Sequence, residues 1–104
     1  MTRVSVVIPV RDGERYLAEA IDSALGQEGA DVDLIVVDDG STDASAEIAA
    51  RYEPAVRVLR IPSSGQGAAR NHGVELAEGS YVTFLDADDV LTPQSLACRL
   101  DAFR

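Results

Sequence analysis

Val4-Ser5-Val6-Val7-Ile8-Pro9-Val10 decides the fold class. A continuous, uncharged, largely β-branched run reads as a strand buried on both faces of a parallel sheet. It stops at Arg11-Asp12-Gly13. Tyr16, Leu17, Ala20, Ile21, Ala24 and Leu25 then recur at helical spacing, and Gly26 and Gly29 end that helix. Val32 to Val37 is a second buried strand, running into Asp38-Asp39-Gly40-Ser41-Thr42-Asp43. Ser41 or Thr42 is placed to cap the next helix, which carries Ala44, Ile48, Ala49 and Tyr52 on one side. Val56 to Ile61 is a third strand; Arg57 and Arg60 interrupt it, which marks a sheet edge. A loop at 63–67 precedes a helix from about Ala68 to Ala77. Ser80 to Leu85 is a fourth strand that delivers Asp86-Ala87-Asp88-Asp89. Thr92-Pro93 reads as a cap and first-turn proline, and Leu96, Ala97, Leu100 and Phe103 stripe the last helix.

Alternating strands and helices imply right-handed crossovers and a mostly parallel sheet. The simplest order for four strands is 3-2-1-4, half of a doubly wound α/β fold. Strands 1 and 4 are then neighbours, the topological switch lies between them, and ligands bind outside the strands' carboxyl ends. Both acidic clusters fall at such ends.

The whole chain has 104 residues, a single domain near the low end of domain size. Its hydrophobic fraction of 46% excludes a disordered chain. A formal charge of −9 disfavours nucleic acid and anionic membrane as partners. All nine basic residues are arginine, so chemistry that needs a lysine is excluded. That removes receiver-type and haloacid-dehalogenase-type phosphoryl chemistry. One cysteine, Cys98, makes no intrachain disulfide, and no run reaches membrane-span length; a cytoplasmic domain is the expectation.

Three stretches carry candidate chemistry. Asp86, Asp88 and Asp89 crowd three acids into four residues, which repel unless a cation or hydrogen-bond donors compensate. Hard divalent cations bind such oxygens and share them with phosphates. A solvated turn with a helix cap is the plainer reading. In Asp38-Asp39-Gly40-Ser41-Thr42-Asp43, capping accounts for the later residues, while a carboxylate of the pair can accept from a base N–H or ribose hydroxyl. Gly65-Gln66-Gly67-Ala68-Ala69-Arg70-Asn71 opens a helix whose backbone can approach phosphate, with Arg70 to pair with it. It is no dinucleotide fingerprint: Arg70 replaces the third glycine and the segment follows strand three. His72 and Cys98 read as ordinary helix residues, and Tyr16 and Tyr52 as residues of helix core faces.

In their order and spacing, these segments resemble glycosyltransferase family 2. The matching text is Val4–Val10, Gly13-Glu14-Arg15-Tyr16-Leu17, Asp38–Asp43, Ala69-Arg70-Asn71-His72-Gly73 and Phe84-Leu85-Asp86-Ala87-Asp88-Asp89, over essentially the whole chain. The resemblance implies the three-layer, Rossmann-like nucleotide-binding half of a GT-A fold. It implies that residues 1–104 are a donor domain, the N-terminal portion of a longer enzyme. The implied reaction is an inverting, metal-dependent transfer of a sugar from a nucleoside-diphosphate donor, first of all a UDP-sugar, to a hydroxyl of a glycan, lipid or small molecule. Pro9, Val10, Arg11 and Asp39 would line the nucleoside pocket, with Glu14 beside it and Arg70 near the diphosphate. Asp88 would ligate Mn2+ or Mg2+, and Asp86 would hold the ribose or the metal.

Two departures matter. Arg11-Asp12 stands where family members often carry Tyr-Asn, so a guanidinium plane replaces a stacking ring. The family's catalytic domains are also longer, and no residue here is placed as the catalytic base. A nucleotide-binding module without catalysis is therefore the alternative. A bare edge at the Tyr81–Leu85 strand, covered by a dimer or larger assembly of this chain, is a further expectation.

Overall fold

The computed structural model describes residues 1–102, so Phe103 of the expected last apolar stripe lies outside the described residues. The elements are β1 (Arg3–Val10), α1 (Leu17–Leu25), β2 (Asp31–Asp39), α2 (Ser45–Ala50), β3 (Arg57–Ile61), α3 (Gln66–Leu76), β4 (Tyr81–Phe84) and α4 (Ser95–Asp101). All pairings are parallel and the order is β3-β2-β1-β4, as the strand–helix alternation predicts.

Alternation along β1 and β2 sorts side chains between two cores. Val4, Val6, Ile8, Val10, Leu34 and Val36 face the larger one, with Leu17, Ala20, Ile21, Ala24, Ala49, Leu96 and Leu100 from α1, α2 and α4. Val7, Ile35 and Val37 face the smaller one, where Ala69 of α3 packs. Each large aliphatic buried there contributes about 1.5–3 kcal/mol. The smaller core is thin because α3 sits close to the sheet. A Cβ at Gly73 would overlap the Val7 side chain, so glycine is what permits that approach. No helix among the described residues is long and apolar enough to cross a membrane.

At the amino ends of the strands, away from the acidic clusters, Asp33 ties four segments together. Its carboxylate accepts from Ser5 Oγ at 2.7 Å, Arg57 Nη2 at 2.9 Å and the Glu78 N–H at 2.9 Å. Ser5 Oγ in turn accepts from the Gly79 N–H at 2.8 Å. Burial alone pushes the Asp33 carboxyl up, but the donors Glu78, Ser5 and Arg57, with the Arg57 charge, outweigh it and hold it below 3.8. A carboxyl lowered in the folded state stabilises fully above its unfolded pKa, and that contribution fades as pH falls through the folded value. Asp33→Ala is expected to cost about 2–4 kcal/mol, less than a wholly buried pair because Arg57 is part-exposed. Urea unfolding at pH 7 and pH 3 checks this. The gap between wild type and variant should narrow at pH 3.

Several boundaries differ from expectation. Neither Ser41 nor Thr42 caps α2; Ala44 holds the N-cap position without a side-chain bond. Ser41 Oγ instead accepts from the Asp12 N–H at 2.9 Å, and Thr42 donates to the Asp12 carboxylate. α3 starts at Gln66, two residues early, after Gly65 at φ 95°. α4 starts at Ser95; Thr92 bonds the Ser95 hydroxyl rather than opening the helix itself. Tyr16 is not a core residue. It occupies the N-cap position of α1 and is 46% exposed, because the helix begins one residue later. β4 has β1 as its described neighbour and stands at the sheet's edge, with Tyr81, Val82 and Phe84 exposed. Beside it, Val4, Leu96, Leu100 and Ala102 help line an apolar groove of about 330 Å³.

Candidate functional site

The carboxyl ends of β1 and β4 open a polar cleft of about 460 Å³ at the topological switch point. Its lining comes from three places. The end of β1 and the turn after it supply Pro9, Val10, Arg11, Asp12 and Gly13, with Tyr16 beyond. The first turns of α3 supply Gln66 and Arg70, and the loop after β4 supplies Asp86, Ala87 and Asp88. Parallel strands deliver their ends to one side, and the α3 crossover brings its N-terminus there too. Segments up to about 80 residues apart thereby share one wall.

Six of the eight residues singled out in sequence meet in this cleft: Pro9, Val10, Arg11, Arg70, Asp86 and Asp88. Glu14 and Asp39 are not among its lining residues. Glu14 lies alongside, its carboxylate accepting from the Ala44 N–H at 3.0 Å. Asp39 is 3% exposed at the end of β2. Its two oxygens accept from the Ser64 N–H at 2.7 Å and the Gly65 N–H at 3.0 Å. It therefore holds the loop that leads into α3, and so the placement of Gln66 and Arg70. Asp38 turns to the other face. One oxygen accepts from the Ser41 N–H, and the other lies 3.2 Å from Arg60 Nε without hydrogen-bond geometry.

Asp12, Tyr16 and Gln66 line the cleft without having been singled out for it. Asp12 has φ 53°, a left-handed conformation that aspartate tolerates better than most residues. Its Oδ1 accepts from the N–H groups of Thr42 (2.7 Å) and Asp43 (3.3 Å). Asp43 returns the clasp by accepting from the Glu14 N–H at 3.1 Å. Desolvation raises the Asp43 carboxyl, but bonds from the Ser45 hydroxyl and N–H and from the Glu14 N–H together outweigh it and leave it below 3.8. These bonds lock the β1–α1 turn to the β2–α2 loop and set where Arg11 stands. The signal in sequence was an aspartate before a glycine at a strand end, a common turn pair.

Asp86, Asp88 and Asp89 can each offer a carboxylate oxygen within 4.8 Å of the others, and all three are exposed. Arg70 Nη2 lies 3.7 Å from Asp86 Oδ1, and its guanidinium stands 5.7 Å from the Phe84 ring centre. This donor set suits a hard divalent cation: oxygens only, convergent, and open to solvent for waters or phosphate oxygens. Arg70 and Arg11 supply positive charge along the same wall.

Known proteins share both sequence and architecture with this chain. The family described as Glycosyl transferase family 2 matches residues 5–103. An uncharacterized glycosyltransferase of Haemophilus influenzae is 40% identical over 105 residues, covering 97% of this chain and 42% of that protein. The structure of S. aureus TarS 1–349 in complex with UDP-GlcNAc superposes with a TM-score of 0.86 at 30% identity, covering 95% of this chain and 30% of that one. The fold is also that of the mannosyltransferase PcManGT from Pyrobaculum calidifontis, in complex with GDP-Man and Mn2+, at TM-score 0.75 and 24% identity, covering 90% of this chain and 29% of that one. The chain thus spans less than half the length of the proteins it matches here. With a match over nearly every residue and a shared α/β architecture, the chain belongs to glycosyltransferase family 2.

Proposed function

We propose that this chain is the donor-binding half of an inverting, metal-dependent glycosyltransferase. It would move a sugar from a nucleoside diphosphate to a hydroxyl of a glycan, lipid or small molecule. The observation that carries the reading is the meeting of Asp86, Asp88 and Arg70 with the end of β1 in one cleft at the switch point. TarS, 30% identical, binds UDP-GlcNAc, which supports a UDP-sugar as donor. Pro9, Val10 and Arg11 receive the nucleoside, the Arg11 guanidinium lying against the base. Asp39 accepts from the base through lone pairs left beside its bonds to the 64–65 backbone. Glu14 braces that wall through Ala44. Arg70, helped by the first N–H groups of α3, takes the diphosphate. Asp88 and Asp86 hold Mn2+ or Mg2+, which when bound neutralises charge on the departing nucleoside diphosphate. The remaining length of the relatives would supply the acceptor site and the base that removes the acceptor proton. The domain works in the cytoplasm, and copies of it associate through the exposed β4 edge.

The partial coverage of the relatives favours a second reading for the isolated chain: a nucleotide-binding module that performs no chemistry. Release of UDP from UDP-GlcNAc, with Mn2+ or with EDTA, separates the two. Slow release that stops in EDTA is the expected result. Saturable donor binding with no release at all would support the module instead. Release indifferent to EDTA would contradict the metal assignment.

A further inference from the structure

Arg70 has a feature the donor reading does not use. Its Nε is buried without a hydrogen-bond partner among the described residues, while its Nη2 makes an ion pair with Asp86 at 3.7 Å. The guanidinium rests over Phe84 at 5.7 Å, and the side chain is 40% exposed. An unsatisfied donor beside a long, solvent-exposed ion pair is a poorly satisfied arrangement, so leaving it costs little. The partner it has is one of the three acids that can converge on a cation.

We propose that Arg70 is an exchangeable counter-charge for the acidic cluster. Paired with Asp86, it weakens the cluster's hold on a bare divalent cation. With a nucleoside diphosphate in place it turns to the phosphate oxygens, satisfies its orphaned Nε–H, and leaves Asp86 to the metal. Phe84 is the platform on which it pivots. Metal then binds well only together with nucleotide, and Arg70 is a positioning residue for both. This inference rests on the donor-site reading above.

Two binding curves test it: Mn2+ alone, and UDP at saturating Mn2+, on the 104-residue chain by calorimetry. Arg70→Met removes the charge and keeps much of the stem. Mn2+ alone should bind about three- to tenfold tighter to the variant, because a positive charge a few ångströms from the cation is gone. UDP with Mn2+ should bind about tenfold or more weaker, because a charge-assisted bond to phosphate is gone. Opposite signs are the signature, since damage to the fold weakens both. Arg70→Gln also removes the charge and should give the same opposite signs, tighter Mn2+ and weaker UDP; it serves if the methionine variant misfolds. Unchanged or weaker Mn2+ binding in Arg70→Met overturns the counter-charge role. Wild type that binds UDP with Mn2+ then keeps the donor reading intact; wild type that binds neither overturns both.

Discussion

Asp88→Ala is expected to reduce affinity for UDP in the presence of Mn2+ by about a hundredfold or more, and to leave metal-free UDP binding unchanged. The size follows from the proposed role of Asp88 as a direct oxygen ligand, since loss of a mere supporting contact to a metal ligand already costs about 10–100-fold. The selectivity follows from position. Asp88 is exposed in the loop after β4 and lines the cleft on the side of Asp86 and Arg70. Thermal unfolding of the variant should therefore match wild type. Calorimetry with UDP, with Mn2+ and with EDTA, reads the effect directly. Unchanged binding in Mn2+ would move the metal away from Asp88. An equal loss in EDTA would make Asp88 a nucleotide contact instead.

The second large effect is expected at Asp39. Asp39→Ala should weaken uridine and UDP alike by about tenfold or more, with or without metal, because in its proposed role the carboxylate is an acceptor at the nucleoside end. It should also destabilise the fold by about 1–3 kcal/mol, since the Ser64 and Gly65 N–H groups lose their shared partner. The two consequences share a cause. The carboxylate is 3% exposed and fixes the segment that opens α3. A loss confined to Mn2+-containing solutions would remove Asp39 from the nucleoside pocket. Loss of stability with uridine binding intact would make it a purely structural residue.

The order β3-β2-β1-β4 was legible because local patterns determine it. Largely apolar runs at Val4–Val10 and Val32–Val37, the second interrupted by Asp33 and the two separated by helical spacing, admit few other arrangements. The position of the acids at strand ends followed, and with it the cleft. Arg57 and Arg60 correctly marked an edge strand, yet nothing local showed that Arg57 completes the buried Asp33 network 24 residues away. Long-range bonds account for the other differences. Ser41 looked like a helix cap because capping is local, but its hydroxyl serves the Asp12 N–H, 29 residues earlier. Asp39 looked like an open ligand, while its neighbours at 64 and 65 come from the far end of β3. Tyr16 shares helical spacing with Ala20, and a start one residue later leaves it at the cleft rather than in the core. β4 is apolar in sequence and exposed in the structure because the sheet ends there among the described residues.

This chain is proposed to hold a nucleoside diphosphate through a divalent cation at the carboxyl ends of β1 and β4. The most direct test is calorimetric titration of the wild-type chain with UDP, GDP and dTDP, each with Mn2+ and with EDTA. The account predicts saturable binding of UDP ahead of the other two, strengthened about tenfold or more by Mn2+. No binding of any nucleotide, or binding equally strong in EDTA, would contradict it.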